Sequence, residues 1–329
     1  MADGDEGPDD EAEAAAEREP TKAATSDYRK AMDTHRSRLV RLSGDRGIGQ
    51  LKALYESAQD TLESKLRNLP GGRRTSMSAT QHRMLLAQAR QGEAVITKKM
   101  AGELGELSEQ AQVESLRGLS AQMKKMEKHY TGAEVALPID EAARFWGVID
   151  KRRTSLLKQH DVSMARYGAS TIKTIEQQLA VSLATGETLD DAAARVRDVA
   201  DTEWWKAERI ARTEQAWAFN ATHSDGIEEV SEELGDIYQR WTEHVTDDLV
   251  PMDDRVGIDS IVMHGQVAKP GEMFVMPDDP RVSDSLIGEE WEFPPNRPND
   301  RGVLTAWRPH WGGLAWVYVN GRKRFLSRP

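Results

Sequence analysis

The sequence predicts an α+β protein with a mainly helical N-terminal region followed by a compact, Trp-rich α+β module at the C-terminal end. Three observations lead there. Through most of the first two hundred residues, apolar side chains recur at about 3.6-residue spacing, the period of an amphipathic helix. Near residue 200 the aromatic content shifts: eight of the nine tryptophans lie beyond it, at Trp204, Trp205, Trp217, Trp241, Trp291, Trp307, Trp311 and Trp316, and prolines cluster there too. Short strand-like runs, Ile237–Trp241 and Trp316–Val319, appear only in this last part. The chain accordingly divides into segments 1–26, 27–138, 139–200 and 201–329.

Residues 1–26 are mostly Asp, Glu and Ala with almost no apolar bulk. Such a segment has little to bury against its chain entropy, and it is expected to be a disordered, solubilising acidic tail. Next, Ile48, Leu51, Leu54, Tyr55, Ala58, Leu62 and Leu66 form one helical stripe, stopped by Pro70-Gly71-Gly72. Leu116, Leu119, Met123, Met126 and Tyr130 alternate in steps of three and four. That seam is heptad-like but brief, as expected inside a helical bundle rather than in a free coiled coil.

Pro138 closes this region. A helical connector follows, predicted as three helices over Ile139–His160, Ser170–Ala184 and Asp190–Val199. Thr188 is placed to cap the last, with the Asp191 carboxylate in the role that Glu or Gln plays in a capping box. A fourth helix is predicted over Thr202–Leu234, capped by Asp201 or Thr202, with Trp205, Ile210, Ala211, Trp217, Ala218, Ile227, Val230 and Leu234 on its apolar face. After it, Asn320-Gly321 between Tyr318 and the basic run Arg322-Lys323-Arg324 is a strong hairpin signal.

Composition excludes several classes. The chain has 329 residues, room for two or three domains, and a formal net charge of −11 with pI near 5.3. General nucleic-acid binding needs clustered Lys and Arg to release counterions, so any DNA contact must come from a local patch. There are no cysteines, hence no disulfide, thiolate ligand or thiol nucleophile. No run approaches the roughly twenty apolar residues of a membrane helix, and the acidic start has no secretory h-region. The expectation is a soluble protein made in a cytoplasm, without a membrane partner.

The polar residues of the Thr202–Leu234 helix are not where a plain amphipathic helix needs them. Arg209, Arg212, Thr213, Glu214 and Asn220 lie beside its apolar stripe. The run Ile210-Ala211-Arg212-Thr213-Glu214 with a downstream Asn220 resembles the phage Mu F-like family of minor head (head morphogenesis) proteins. The resemblance continues in order. Thr188-Leu189-Asp190-Asp191-Ala192-Ala193 precede the helix; Trp241, Asp254-Arg255-Val256, His264-Gly265-Gln266-Val267, Phe274, Pro277-Asp278-Asp279-Pro280 and Asn299-Asp300-Arg301-Gly302 follow it. It covers roughly Leu183 to Pro309. No single element is specific; the ordered set carries the likeness.

What the resemblance implies is a structural protein of a tailed phage or phage-like particle, not an enzyme. It would act at the portal vertex and in head assembly. Its partners would be the portal protein and the capsid interior, and its location the virion (head interior or portal vertex), with the host cytoplasm during assembly. In that reading Arg209, Arg212, Thr213, Glu214 and Asn220 hold the helix against the strand carrying Trp241. Asp254, Arg255, Gly265, Gln266 and Arg301 fix the loops, and His264, which could serve as an acid or base, is expected to hydrogen-bond locally in a turn.

Members of that family often carry Cys or His after Asp-Arg-Val and in the closing motif, which suggests a structural metal or a cross-link. Here the corresponding positions are Gly257, Ser260, Asn299, Asp300, Arg301 and Gly302, without a soft ligand. No metal and no cofactor are therefore expected, and ion pairs such as Arg301 with Asp254 or Asp259 would pin the loops. Asp253, Asp254, Asp259 and His264 do not have the spacing of an EF-hand loop, and a solvated acidic loop is the plainer reading.

Glu290-Trp291-Glu292, just after Ser283-Asp284-Ser285, faintly resembles the E-x-E turn and serine strand of mono-ADP-ribosyltransferases. The two elements are too close together, which leaves that activity as an alternative; a helical adaptor unrelated to phage is another. Arg322, Lys323 and Arg324 form a basic patch able to touch packaged DNA or an acidic portal surface, and Gly71-Gly72-Arg73-Arg74 is a second such loop.

Overall fold

The computed structural model describes residues 45–67, 76–243, 245, 256–295, 302–319 and 322–327. The acidic tail, the 71–74 loop, Asp254, Arg255 and Arg301 lie outside the described residues. Four helices dominate: α1 (Asp45–Arg67), α2 (Ala79–Thr131), α3 (Ala142–Thr185) and α4 (Leu189–Leu234). After them come β1 (Tyr238–Thr242), the short α5 (Ile258–Met263), β2 (Val267–Ala268), β3 (Phe274–Val275), β4 (Glu290–Trp291), β5 (Val303–Trp307), β6 (Ala315–Val319) and β7 (Arg322–Ser327). This is the α+β order the sequence predicts: a long helical region, then a few short antiparallel strands.

Local chemistry sets the helix ends. Ser78 and Gln81 form a capping box at the start of α2, where Gln81 N–H bonds Ser78 Oγ and Ser78 N–H bonds Gln81 Oε1. Thr188 and Asp191 do the same for α4, as the sequence indicates: Asp191 N–H donates to Thr188 Oγ1 at 3.2 Å and Thr188 N–H to Asp191 Oδ2 at 3.3 Å. At the far end of α3, Gly186 takes φ +72° and Glu187 N–H reaches back to Ser182 C=O, closing a Schellman motif.

Two predicted breaks are absent. Ile139–His160 and Ser170–Ala184 are parts of a single helix, α3, whose entry is a 3₁₀ turn at Pro138–Asp140. Likewise α4 runs unbroken past residue 200, so neither Asp201 nor Thr202 caps a helix. Thr202 Oγ1 instead donates to the Asp198 and Val199 carbonyls behind it. The reason is packing: Val196, Val199, Glu203 and Ala207 are all buried, so the inward face continues and no Gly or Pro interrupts it.

The described residues form two compact units, each assembled from non-consecutive segments: 42–108 with 153–215, and 109–152 with 216–329. In the first, Ile48, Leu51 and Tyr55 of α1 pack with Met100 and Leu104 of α2, Met164 and Tyr167 of α3, and Ala207 and Ala211 of α4. A second cluster in the same unit joins Leu85, Ile175, Leu179, Leu189 and Val196.

In the other unit, Leu119, Met123 and Met126 of the α2 seam pack with Ile227 and Val230 of α4, Ile237, and Trp311. Gly226 allows the close crossing: a Cβ there would lie 2.6 Å from Leu116 Cδ2. The sheet of this unit has order β2–β1–β5, all antiparallel, with Trp241 opposite Leu304. β3 pairs with β4, and β6 with β7. Val319 pairs with Arg322, the register that a two-residue Asn-Gly connection requires. Among the described residues no helix is long and apolar enough to cross a membrane.

Candidate functional site

The residues that carry the family resemblance fall into two groups. The first belongs to the unit built from 42–108 and 153–215. Arg209 lies over the Trp205 ring, 4.8 Å from its centroid. Arg212 grips Glu208 one turn back through Nε (3.1 Å) and Nη2 (2.7 Å), and Thr213 Oγ1 bonds the Arg209 carbonyl at 2.8 Å. Each of these contacts lies within α4.

Glu214 reaches across to α3. It accepts from Gln159 Nε2 at 2.8 Å and from Ser163 Oγ at 2.7 Å, and lies 3.8 Å from His160 Nε2, which also meets Ser108 Oγ at 3.0 Å. Burial raises the Glu214 carboxyl above its usual range, an effect reduced by these two bonds. Burial lowers His160 to about 4, so it is neutral at physiological pH. Of Arg209, Arg212, Thr213 and Glu214, the last joins α4 to α3 through Gln159 and Ser163, while Arg209 and Arg212 contact Trp205 and Glu208 of their own helix.

Asn220, two turns further on, does reach the sheet. It is fully buried; its Nδ2 donates to Gly302 C=O at 3.1 Å and its Oδ1 accepts from Leu304 N–H at 2.8 Å. One amide thus reads both polar groups of the backbone entering β5, which is paired in register with β1.

At the end of β1 the other motif residues converge. Trp241 N–H bonds Gln266 C=O at 2.8 Å, and Gly265 N–H bonds Trp241 C=O at 2.9 Å. Trp241 Nε1 donates to Glu243 Oε1 at 2.7 Å, and Glu243 N–H donates to His264 Nδ1 at 2.9 Å. His264 therefore accepts through Nδ1. Trp316 closes the group, its indole N–H on His264 C=O (2.9 Å) and its backbone N–H on Gly265 C=O (3.0 Å).

Two glycines are required here. Gly265 has φ +84°, and a Cβ would lie 2.8 Å from Leu314 Cγ and 3.2 Å from its carbonyl oxygen. A Cβ on Gly302 would collide with the Glu243 carboxylate. Gly265→Ala is expected to lower unfolding free energy by about 2–4 kcal/mol, the left-handed backbone cost plus displacement of Leu314. Urea denaturation checks this; an unchanged midpoint would mean the loop carries no constraint.

The hairpin beyond is anchored to this group. Lys323 Nζ sits 4.4 Å from the Trp316 ring centroid and donates to Val262 C=O at 3.1 Å, and burial lowers its pKa. Arg322 and Arg324 are exposed.

Residues that the sequence does not single out complete the architecture. Glu127 of α2 is nearly buried and receives Arg308 Nη1 (2.8 Å), Trp311 Nε1 (3.1 Å) and His310 Nε2 (3.3 Å). A carboxylate beside the Met126 seam looks like an ordinary solvated flank, and nothing local marks it. Arg152 holds Asp225 through two bonds (2.8 and 3.1 Å) and also pairs with Glu292. The second glutamate of Glu290-Trp291-Glu292 is thus engaged in an ion pair, while Glu290 is exposed in β4. Among the described residues no group of three His, Asp or Glu is placed to hold a metal ion.

No family model, curated protein or solved structure matches this chain.

Proposed function

We propose that the chain is a structural minor head protein of a tailed phage or phage-like particle, acting at the portal vertex during head assembly and enclosed with the DNA. The observation that carries this reading is the convergence of its ordered motif. Asn220, Trp241, His264, Gly265, Gln266 and Gly302, spread over 83 positions counted inclusively from Asn220 to Gly302, meet around one strand end through backbone-directed hydrogen bonds. Such bonds position loops. They support an architectural role, because the contacts that join these residues are made largely to backbone groups.

In this reading the portal protein and capsid interior are the partners. The exposed arginines of the β6–β7 hairpin are one group available to an acidic portal surface or to packaged DNA. Co-expression with the portal protein encoded in the same gene cluster, followed by gradient sedimentation and mass spectrometry, tests it. Co-migration at a fixed ratio is the expected result. A chain sedimenting alone at every salt concentration would remove the assignment, and NAD consumption abolished by Glu292→Gln would replace it with the transferase alternative.

A further inference from the structure

The outer face of α3 departs from the charge of the rest of the chain. Between Arg153 and Lys173 there are four cationic residues, Arg153, Lys158, Arg166 and Lys173, and one carboxylate, Asp161, in a chain of net charge −11. Lys158, Arg166 and Lys173 are exposed and make no ion pair or hydrogen bond among the described residues. At 100° per residue they fall within about 80° of arc, opposite the buried Leu156, Met164, Tyr167 and Thr171. The rise of the helix spaces them by about 12 and 10 Å, a row of about 22 Å.

What lies between the cations decides the kind of partner. Val162 and Ala169 share the arc, Ala165 borders it about 20° outside, and all three are exposed. Val162 is the one sizeable apolar side chain among them, so a docking helix would find little area to bury. A second copy of this face would set cation against cation. Contact with phosphates needs no apolar seam, only cations on long stems above a low surface, and the two alanines supply that surface. Asp161 lies about 60° outside the arc, and Glu176, further along it, is held by Arg90.

We propose that this face of α3 binds the phosphate backbone of duplex DNA without sequence preference. The inference stands independently of the portal assignment and uses residues distinct from the basic hairpin.

The test is fluorescence anisotropy of the full chain on a labelled mixed-sequence duplex across a salt series. Three phosphate contacts predict a slope of log affinity against log salt of about −2.7, so that a fourfold rise in salt weakens binding about 40-fold. The combined substitution Lys158→Gln, Arg166→Gln and Lys173→Gln should abolish binding at salt concentrations where the parent binds, with an unchanged circular dichroism spectrum. Arg322→Gln with Arg324→Gln should leave most of it. Binding retained by the α3 variant, binding lost only in the hairpin variant, no binding by the parent at low salt, or preference for poly-glutamate over the duplex would each overturn the proposal.

Discussion

Asn220→Ala is expected to destabilise the chain by about 2–4 kcal/mol, because it removes at once both buried hydrogen bonds from this side chain to the backbone entering β5. The amide of Asn220 supplies a donor to Gly302 C=O and an acceptor to Leu304 N–H, and no water reaches a side chain at 0 % exposure. Asn220→Asp should also destabilise: its carboxylate still accepts from Leu304 N–H but sets an anion against the Gly302 carbonyl. Equilibrium denaturation with tryptophan fluorescence reads the effect, since Trp241 and Trp307 lie on the two strands this contact aligns. A loss below about 0.5 kcal/mol, the range of ordinary surface substitutions, would show that Asn220 does not hold α4 to the sheet.

Glu93→Gln is expected to stabilise the chain at alkaline pH and to leave it unchanged in acid. Glu93 is 5 % exposed, and its Oε1 has no hydrogen-bond partner among the described residues. Burial, and then the nearby Glu203 charge, push its carboxyl up to about 7. In the unfolded chain the group titrates near its ordinary value of 4.5. Between these two values the unfolded state has lost the proton and the folded state keeps it, so stability falls as pH rises from 4.5 to 7. The full difference corresponds to about 3 kcal/mol above pH 7. The variant should therefore exceed the parent by about 2–3 kcal/mol at pH 8, with the gap closing toward pH 4. A gap of constant size across that range would assign the effect to packing instead of ionisation.

Glu93 and Asn220 also show why one site was legible in the sequence and the other was not. Asn220 stands out because an amide beside an apolar stripe, at a fixed distance from Ile210-Ala211-Arg212-Thr213-Glu214, belongs to an ordered pattern. Glu93 stands among Gln91, Gly92 and Ala94, with nothing local to mark it. Its burial arises where α3 comes close: a Cβ on Gly168 would touch Thr97 Cγ2 at 2.6 Å and Glu93 Cγ at 3.6 Å. Glu127 is the same case, recognisable only once Arg308 and Trp311, more than 180 positions away, are placed around it.

By itself the sequence determined whatever depends on neighbours within about a turn: the amphipathic stripes of α1 and α2, the Thr188–Asp191 cap, and the register of the Asn-Gly hairpin. It also marked Asn220, Trp241, His264 and Gly265 as one set. Tertiary structure alone decided that α3 and α4 run through their apparent breaks, that Glu214 joins α4 to α3 while Asn220 binds the sheet, and that segments far apart in the chain form each compact unit. The division has a physical origin. Caps and turns are made by groups a few bonds apart, so the order of residues specifies them. Burial and partner choice depend on which distant surfaces meet, and an amphipathic helix can satisfy the same apolar face against several of them.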